Sequence, residues 1–350
     1  MQERGKGTMR GGFIEKPMKA YFRNDLEEPQ LIDEYSVKIQ VKISGICGSE
    51  VHAYHGKHAW RVPPLVSGHE FSGVVVALGS AVTTCKIGDR VTAEPQYGCG
   101  HCELCASGAY NLCEDKKILG ATYWSGSFGE FVVVPERCVI RLQDTVSFDA
   151  GALIEPLAVG MHAVRSNRVG EGDTIAVIGC GTIGLGVILS ALSQGVKTII
   201  GIDVFDFNLM KAKEMGASHV YNSLTVDVAR TIMDLTGGRG VDVTFLAFGN
   251  AACMVQAAEI TKRGGTISEI AVMGNDVAAP FGLIQVKELR VIGSNMYTGD
   301  DFKAVIEALA SGRIRTEGFI TKRFPIEEMS AAMRFADQRP EPLVKVVLEF

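Results

Sequence analysis

Four cysteines, Cys99, Cys102, Cys105 and Cys113, fall within the run CGHCELCASGAYNLC with the spacing C-x2-C-x2-C-x7-C. Thiolates this close along a chain can wrap one tetrahedral ion, and a closed all-sulfur site is what structural zinc prefers. The competing reading is a pair of disulfides, or loose surface thiols. Nine cysteines is an odd number and no apolar export segment opens the chain, so reduced thiols are favoured. The expectation is a metal-stapled lobe near residue 100.

A chain of 350 residues buries a large core and divides most naturally into two domains. With 47% apolar and 21% charged residues it reads as an ordinary soluble globular protein. No apolar run approaches the roughly 20 residues that a spanning helix needs, so no membrane partner is expected. A net charge of -5 argues against a nucleic-acid grip, and with it against reading the cysteine lobe as a nucleic-acid ribbon. Residues 1–17, MQERGKGTMRGGFIEKP, are Gly-rich and charged without an apolar stretch. They read as a flexible N-terminal extension rather than a signal peptide, and the protein is expected in the cytoplasm.

From Lys19 to about residue 140 the pattern is β-like, with short runs such as SVKIQVKI, GVVVALG and EFVVVP punctuated by Gly, Pro and Asp. A mostly antiparallel β domain is expected there, with the cysteine lobe inserted as a loop. From about Phe148 the rhythm changes. FDAGALIEPLAVGMHAVRS has helical spacing, TIAVIG is a short buried strand, TIGLGVILSALSQG is helical, KTIIGIDV is a strand and NLMKAKEMG a helix. Such alternation builds βαβ units and a parallel sheet. The fold class is therefore α/β with two domains. One comprises residues 18–158 and 300–350, the tail returning to it after Asp300, and the other residues 159–299.

Gly179, Gly181 and Gly184, with Thr182 and Ile183 between, form G-C-G-T-I-G directly after the strand TIAVI and at the start of a helix. In that context the glycines allow a tight turn and close approach of a pyrophosphate, and the helix N-terminus supplies unpaired N–H donors. Asp203 ends the next strand, nineteen residues after Gly184, where a carboxylate can hold adenosine ribose hydroxyls. Val204, Phe205, Asp206 and Phe207 offer no cation for a 2'-phosphate, so NAD is expected over NADP.

A second candidate metal set is dispersed. Cys47 lies in SGICGSEVHAYHG, His69 and Glu70 in VSGHEFSG, and Glu155 in ALIEPLAVG. One thiolate, one imidazole and one or two carboxylates suit zinc, although each residue alone has a duller explanation as core, turn or cap. Taken in order, GICGSEVH, GHEFSG, GCGHCELCASGAYNLC, GALIEPLAVGMHA and VIGCGTIGLG resemble the zinc-dependent medium-chain alcohol dehydrogenases, and within them the sorbitol and polyol dehydrogenases. The resemblance covers nearly all of residues 18–350. It implies a GroES-like catalytic domain, a Rossmann cofactor domain, an active site in the cleft between them, two zinc ions per chain and a homodimer or homotetramer. It also implies that Cys47, His69 and Glu70 are catalytic-zinc ligands. Glu155 stands where the ethanol-type enzymes place a second cysteine ligand. Ser49 occupies the hydroxyl position that hydrogen-bonds the alcohol, His52 matches a proton-relay position of some members, and Glu50 looks like a partner of the ligand shell.

The carboxylate at Glu155 has physical content. Cys47, His69 and one carboxylate leave the divalent centre formally neutral, whereas two bound carboxylates make it anionic and a poorer Lewis acid. One carboxylate is expected to bind directly and the other to act through the metal's water or to swap in during turnover; the sequence leaves Glu70 and Glu155 interchangeable. The expected reaction removes a hydride from the secondary alcohol of a polyol to NAD, giving a ketose. The alternatives are another secondary alcohol, of the 2,3-butanediol or L-threonine type, or a redox-silent zinc scaffold. Tyr54, Trp60, Tyr123, Trp124 and Phe128 are candidate pocket aromatics, as are Asn295, Met296 and Tyr297 after the strand LRVIGS. Arg61, His55 and His58 are the weak candidates for an anion clamp.

Overall fold

Alternation of Val37, Ile39 and Val41 with polar neighbours gives a strand whose apolar face is fully buried, and this strand organises the first unit of the computed structural model. The structure describes residues 7–273 and 277–350. It divides into one unit of Met1–Glu155 with Thr316–Phe350 and a second of Pro156–Arg315. The chain opens with β1 (Thr8–Lys16), β2 (Lys19–Glu27), β3 (Ser36–Ile46), α1 (Gly48–Tyr54) and β4 (Glu70–Leu78). β5 (Arg90–Ala93), β6 (Gln96–Tyr97), α2 (Glu103–Ala106), β7 (Lys117–Ile118), β8 (Phe131–Pro135) and β9 (Val139–Arg141) follow, then the long helix α3 (Phe148–Ser166).

The second unit runs β10 (Thr174–Ile178), α4 (Thr182–Ser193), β11 (Thr198–Asp203), α5 (Asp206–Glu214), β12 (His219–Asn222), α6 (Val228–Leu235) and β13 (Val241–Leu246). It continues through α7 (Ala251–Ile260), β14 (Thr261–Glu269), α8 (Phe281–Lys287), β15 (Arg290–Gly293) and α9 (Gly299–Ala310). The chain closes with β16 (Ile320–Pro325), α10 (Met329–Gln338) and β17 (Lys345–Glu349).

In the first unit a seven-stranded sheet has the order β16-β17-β3-β4-β5-β9, with β8 also paired to β3. Every pairing in it is antiparallel except β16 with β17. β3 is the hub: β4 pairs along most of its length, β17 pairs with its C-terminal end and β8 with its N-terminal end. The expectation of a loose extension over residues 1–17 gives way here, residues 1–6 lying outside the described residues. Residues 8–16 form a hairpin with β2, and Met9 and Ile14 are fully buried. Ile14 also exchanges both backbone hydrogen bonds with Leu65. Burial of the alternate side chains overrides the glycines that make this stretch read as a loop.

The second unit holds a six-stranded parallel sheet in the order β12-β11-β10-β13-β14-β15. The order reverses between β10 and β13, and a doubly wound sheet binds its nucleotide outside the strand carboxyl ends at that point. Gly160 of α3 packs against the Gly186 backbone of α4, leaving no room for a Cβ between the two helices. The tail rejoins the first unit at Thr316 rather than after Asp300. α9 stays with the second unit because Asp301 is tied to His162 Nδ1 at 2.8 Å and Arg165 Nη1 at 2.6 Å, both on α3.

Candidate metal centres and nucleotide site

The four-cysteine lobe lies between β6 and β7. Each of the four Sγ atoms lies within 4.8 Å of the others, and none of the four is in a disulfide. Local backbone geometry aims donors at sulfur: Cys102 caps α2 by accepting from Cys105 N, and Cys113 Sγ accepts from Cys99 N, each at 3.4 Å. Backbone N–H groups of His101 and Cys102 hold the Cys99 thiol down at about 6. Four thiols this close cannot all ionise without a counter-charge, and a tetrahedral cation supplies one. The lobe fits zinc on its donor set.

The second cluster is assembled from distant segments. β3 delivers Cys47 to the N-cap of α1, and Glu50 in the first turn reaches back to accept from Cys47 N at 3.0 Å. His69 and Glu70 enter at the head of β4, and Glu155 comes from α3. Candidate ligand atoms of Cys47, Glu50 and His69 lie within 4.8 Å of one another, and so do those of His69, Glu70 and Glu155. His69 belongs to both groups. Its Nδ1 lies 2.9 Å from Glu50 Oε1, which can only accept, and 3.1 Å from Arg61 Nη2, which can only donate; the shorter contact, to the ionised carboxylate, is the one that takes an Nδ1 proton. Nε2 then faces Glu155 Oε1 at 3.9 Å.

Two buried cations balance this anionic centre. Lys345 of β17 donates to both oxygens of Glu70 at 2.7 Å, the two side chains being 3% and 1% exposed. The pair spans three neighbouring strands, and Gly45 of β3, opposite Glu70, leaves the space that the carboxylate fills. Burial pulls the Lys345 ammonium down, but Glu70 and Cys47 more than reverse this, and it stays above the usual lysine value. Arg61 Nε lies 3.1 Å from Glu50 Oε1, with the two side chains 5% and 0% exposed. Burial pushes the Glu50 carboxyl up, but His69, Arg61 and the Cys47 amide together hold it well below the usual range. Burial likewise disfavours a charged His69, yet Glu50 and Glu155 carry it well above the ordinary histidine value. Ser49, two residues after Cys47, has a buried hydroxyl with no hydrogen-bond partner among the described residues.

In the second unit the three glycines divide the labour. Gly179 has φ +89°, a turn that a side chain disfavours. Around Gly181, the N-cap of α4, there is open space. A side chain at Gly184 would collide with the Gly179 carbonyl. Asp203 locks the loop: Oδ2 accepts from Cys180 N at 2.7 Å and from Asn208 Nδ2 at 3.1 Å, and Oδ1 from Val204 N at 2.7 Å and Phe205 N at 2.9 Å.

Residues 33–144 match the alcohol dehydrogenase GroES-like domain family and residues 182–311 the zinc-binding dehydrogenase family. The chain is 35% identical over 321 residues to sorbitol dehydrogenase of Bacillus subtilis, covering 91% of each protein. It is 33% identical to D-xylulose reductase of Saccharomyces cerevisiae, covering 96% of each. The crystal structure of 2R,3R-butanediol dehydrogenase from Bacillus subtilis superimposes with a TM-score of 0.89 at 33% identity, over 98% of this chain and 99% of that one. The protein belongs to the zinc-dependent medium-chain dehydrogenases.

Within this dehydrogenase the residues singled out from sequence have different fates. Thr182 opens α4, with Ile183 next to it, on the glycine loop. His52 is exposed in the last turn of α1. Tyr54 and Phe128 are core residues of one apolar cluster, 5% and 0% exposed. Trp60 and Tyr123 are half exposed, and Trp124 donates from Nε1 to Val133 O at 2.9 Å. Tyr297 is fully buried, against Phe302. His55 pairs with Asp337 at 2.7 Å. His58 accepts from the backbone N of Trp60 and Arg61, and burial with the nearby guanidinium takes it down to about 4. Arg61 is committed to Glu50 rather than free to clamp an anion. Sequence reasoning missed Lys345; its one local signal is a lysine beside the apolar residues Val344, Val346, Val347 and Leu348.

Proposed function

We propose that this dehydrogenase oxidises the secondary alcohol of a polyol to a ketose, passing the hydride to NAD. The observation that carries the reading is a pair of ligand groups sharing His69, Cys47 with Glu50 in one and Glu70 with Glu155 in the other, with a buried Ser49 hydroxyl that has no partner among the described residues two positions after Cys47. The names of the sorbitol and xylulose relatives supply the substrate class.

Cys47, His69 and one of the two carboxylates would hold a catalytic zinc, and Cys99, Cys102, Cys105 and Cys113 a structural one. When bound, the catalytic ion supplies the Lewis acidity that makes an alcohol hydroxyl easier to deprotonate. Ser49 Oγ accepts the proton of the substrate hydroxyl, and His52 relays it outward. Lys345 keeps both oxygens of Glu70 engaged, which favours Glu155 as the carboxylate that responds to substrate and water. Glu50 holds His69 by Nδ1 and presents Nε2.

Gly179, Gly181, Thr182, Ile183 and Gly184 would hold the pyrophosphate, and Asp203 would serve the adenosine ribose. NAD is favoured over NADP because the turn after Asp203 is Val204, Phe205, Asp206, Phe207, without a cation for a 2'-phosphate. The chain associates with itself as a dimer or tetramer. The edge strand β15 leaves all four of its residues exposed, Val291 and Ile292 by 46% and 39%, an apolar edge that suits a second copy. No described helix is long and apolar enough to cross a membrane, and nine free thiols suit the reducing cytoplasm.

The test is a panel of polyols, 2,3-butanediol and L-threonine scored by NADH absorbance, alongside metal analysis. Activity highest on polyols with two zinc ions per chain is expected. Preference for the diol or threonine overturns the substrate, and one zinc with no NADH from any alcohol overturns the enzyme.

A further inference from the structure

We propose that Arg61 is a positioning residue of the catalytic metal centre, its guanidinium bracing Glu50 so that His69 presents Nε2 to the metal. The proposal rests on the zinc reading of Cys47 and His69 given above. Glu50 is wholly buried, and its Oε1 takes contacts from His69 Nδ1 at 2.9 Å, Arg61 Nε at 3.1 Å and Ser67 Oγ at 3.1 Å. The fourth contact, from Cys47 N, goes to Oε2. Arg61 is itself 4% exposed and fixed at its far end, where Nη2 lies 3.3 Å from Leu119 O and 3.1 Å from His69 Nδ1. Nη1 lies 3.4 Å from His58 Nε2.

Three features of this arrangement exceed what packing requires. A buried carboxylate serving a metal-bound imidazole needs a counter-charge, or it remains an isolated ion in a dry interior. The guanidinium places that charge 3.1 Å from Glu50 Oε1 as an ion pair without a hydrogen bond through Nε, its position set by the Nη2 bond to Leu119 O, which a lysine on a flexible stem cannot reproduce. Finally, one guanidinium touches both members of the imidazole–carboxylate pair, so the ring cannot swing away from Glu50 without displacing Arg61. Partners of this kind set ligand orientation, and their loss costs about 10–100-fold in metal affinity.

The experiment follows zinc release to a chromophoric chelator from the wild type, Arg61→Lys and Arg61→Met. Metal in the cysteine lobe of the same sample serves as the reference for folding. The wild type should release two zinc ions in separate phases; a single phase of one ion, from the lobe, overturns the underlying zinc reading and the proposal with it. Arg61→Met should speed release of the catalytic zinc about 10–100-fold and leave the lobe phase unchanged. Arg61→Lys should fall between. Release of both ions accelerated together, or neither, overturns the proposal while leaving the zinc reading intact. If Arg61→Met does not fold, Arg61→Lys, which keeps the charge and loses the guanidinium, decides: faster catalytic-site release with an unchanged lobe phase supports the proposal and wild-type release overturns it.

Discussion

The two cysteine-bearing clusters of this dehydrogenase are built on opposite principles. The lobe takes all four donors from Cys99 to Cys113, and its sulfurs receive N–H groups from within the same loop. The cluster at His69 gathers donors from β3, β4 and α3 and needs Arg61 and Lys345 to balance it. One is a local staple whose removal loosens a loop. The other is a buried network whose charges must all be present at once, because an unpaired ion in a dry interior is costly. The two clusters, proposed as a structural and a catalytic metal site, differ in how far their support extends, and that distance can be tested.

The sharpest contrast comes from one ligand in each cluster. Cys47→Ser should cut turnover by more than about 100-fold, beyond what loss of an outer partner costs, while NADH binding measured by fluorescence stays near the wild-type value. Near-native turnover would break the comparison. Cys102→Ser should lower stability by about 4 kcal/mol or more, as loss of a structural metal does, with one zinc per chain remaining. Calorimetry and metal analysis report both effects, and unchanged stability would show that the lobe is no staple. Lys345→Met leaves Glu70 buried without its counter-charge and should cost about 3–5 kcal/mol in chemical denaturation. The smallest effect belongs to an exposed pair. Arg323 bonds Asp149 through Nη1 at 3.0 Å, but both side chains are about 40% exposed, so Asp149→Asn should cost less than about 1 kcal/mol and nothing in high salt. A large penalty there would mean that burial is not what separates the two classes of charge.

The same contrast governs what could be read from the sequence. Cys99 to Cys113, the glycine loop and Asp203 are local patterns whose chemistry depends on spacing alone. The parallel sheet announced itself through strand and helix periodicity. Cys47, His69, Glu70 and Glu155 became a set only through resemblance to a family, since their proximity is made by strand pairing. Lys345 was missed because its meaning arises from the register of β17 on β3 and of β3 on β4, which no local window contains. Arg61 was read as a weak anion-clamp candidate because nothing near it in the chain marks its burial against Glu50. Tyr54 and Phe128 show the converse: aromatics that suggested a pocket were claimed by the core. The hairpin of β1 and β2 was hidden by glycines at 11 and 12, which fit a strand here because neighbouring groups fill the space a side chain would occupy.

The Glu70–Lys345 pair joins residues 275 positions apart, with the whole nucleotide unit synthesised between them. Cys47, His69, Glu70 and Glu155 therefore leave the ribosome long before the ammonium that neutralises one of their carboxylates. Until β17 adds itself to β3, a nascent chain carries a surplus of negative charge at the ligands, and a metal ion captured then would meet a different electrostatic balance. Neutralisation of Glu70 is thereby tied to the pairing of β17 with β3.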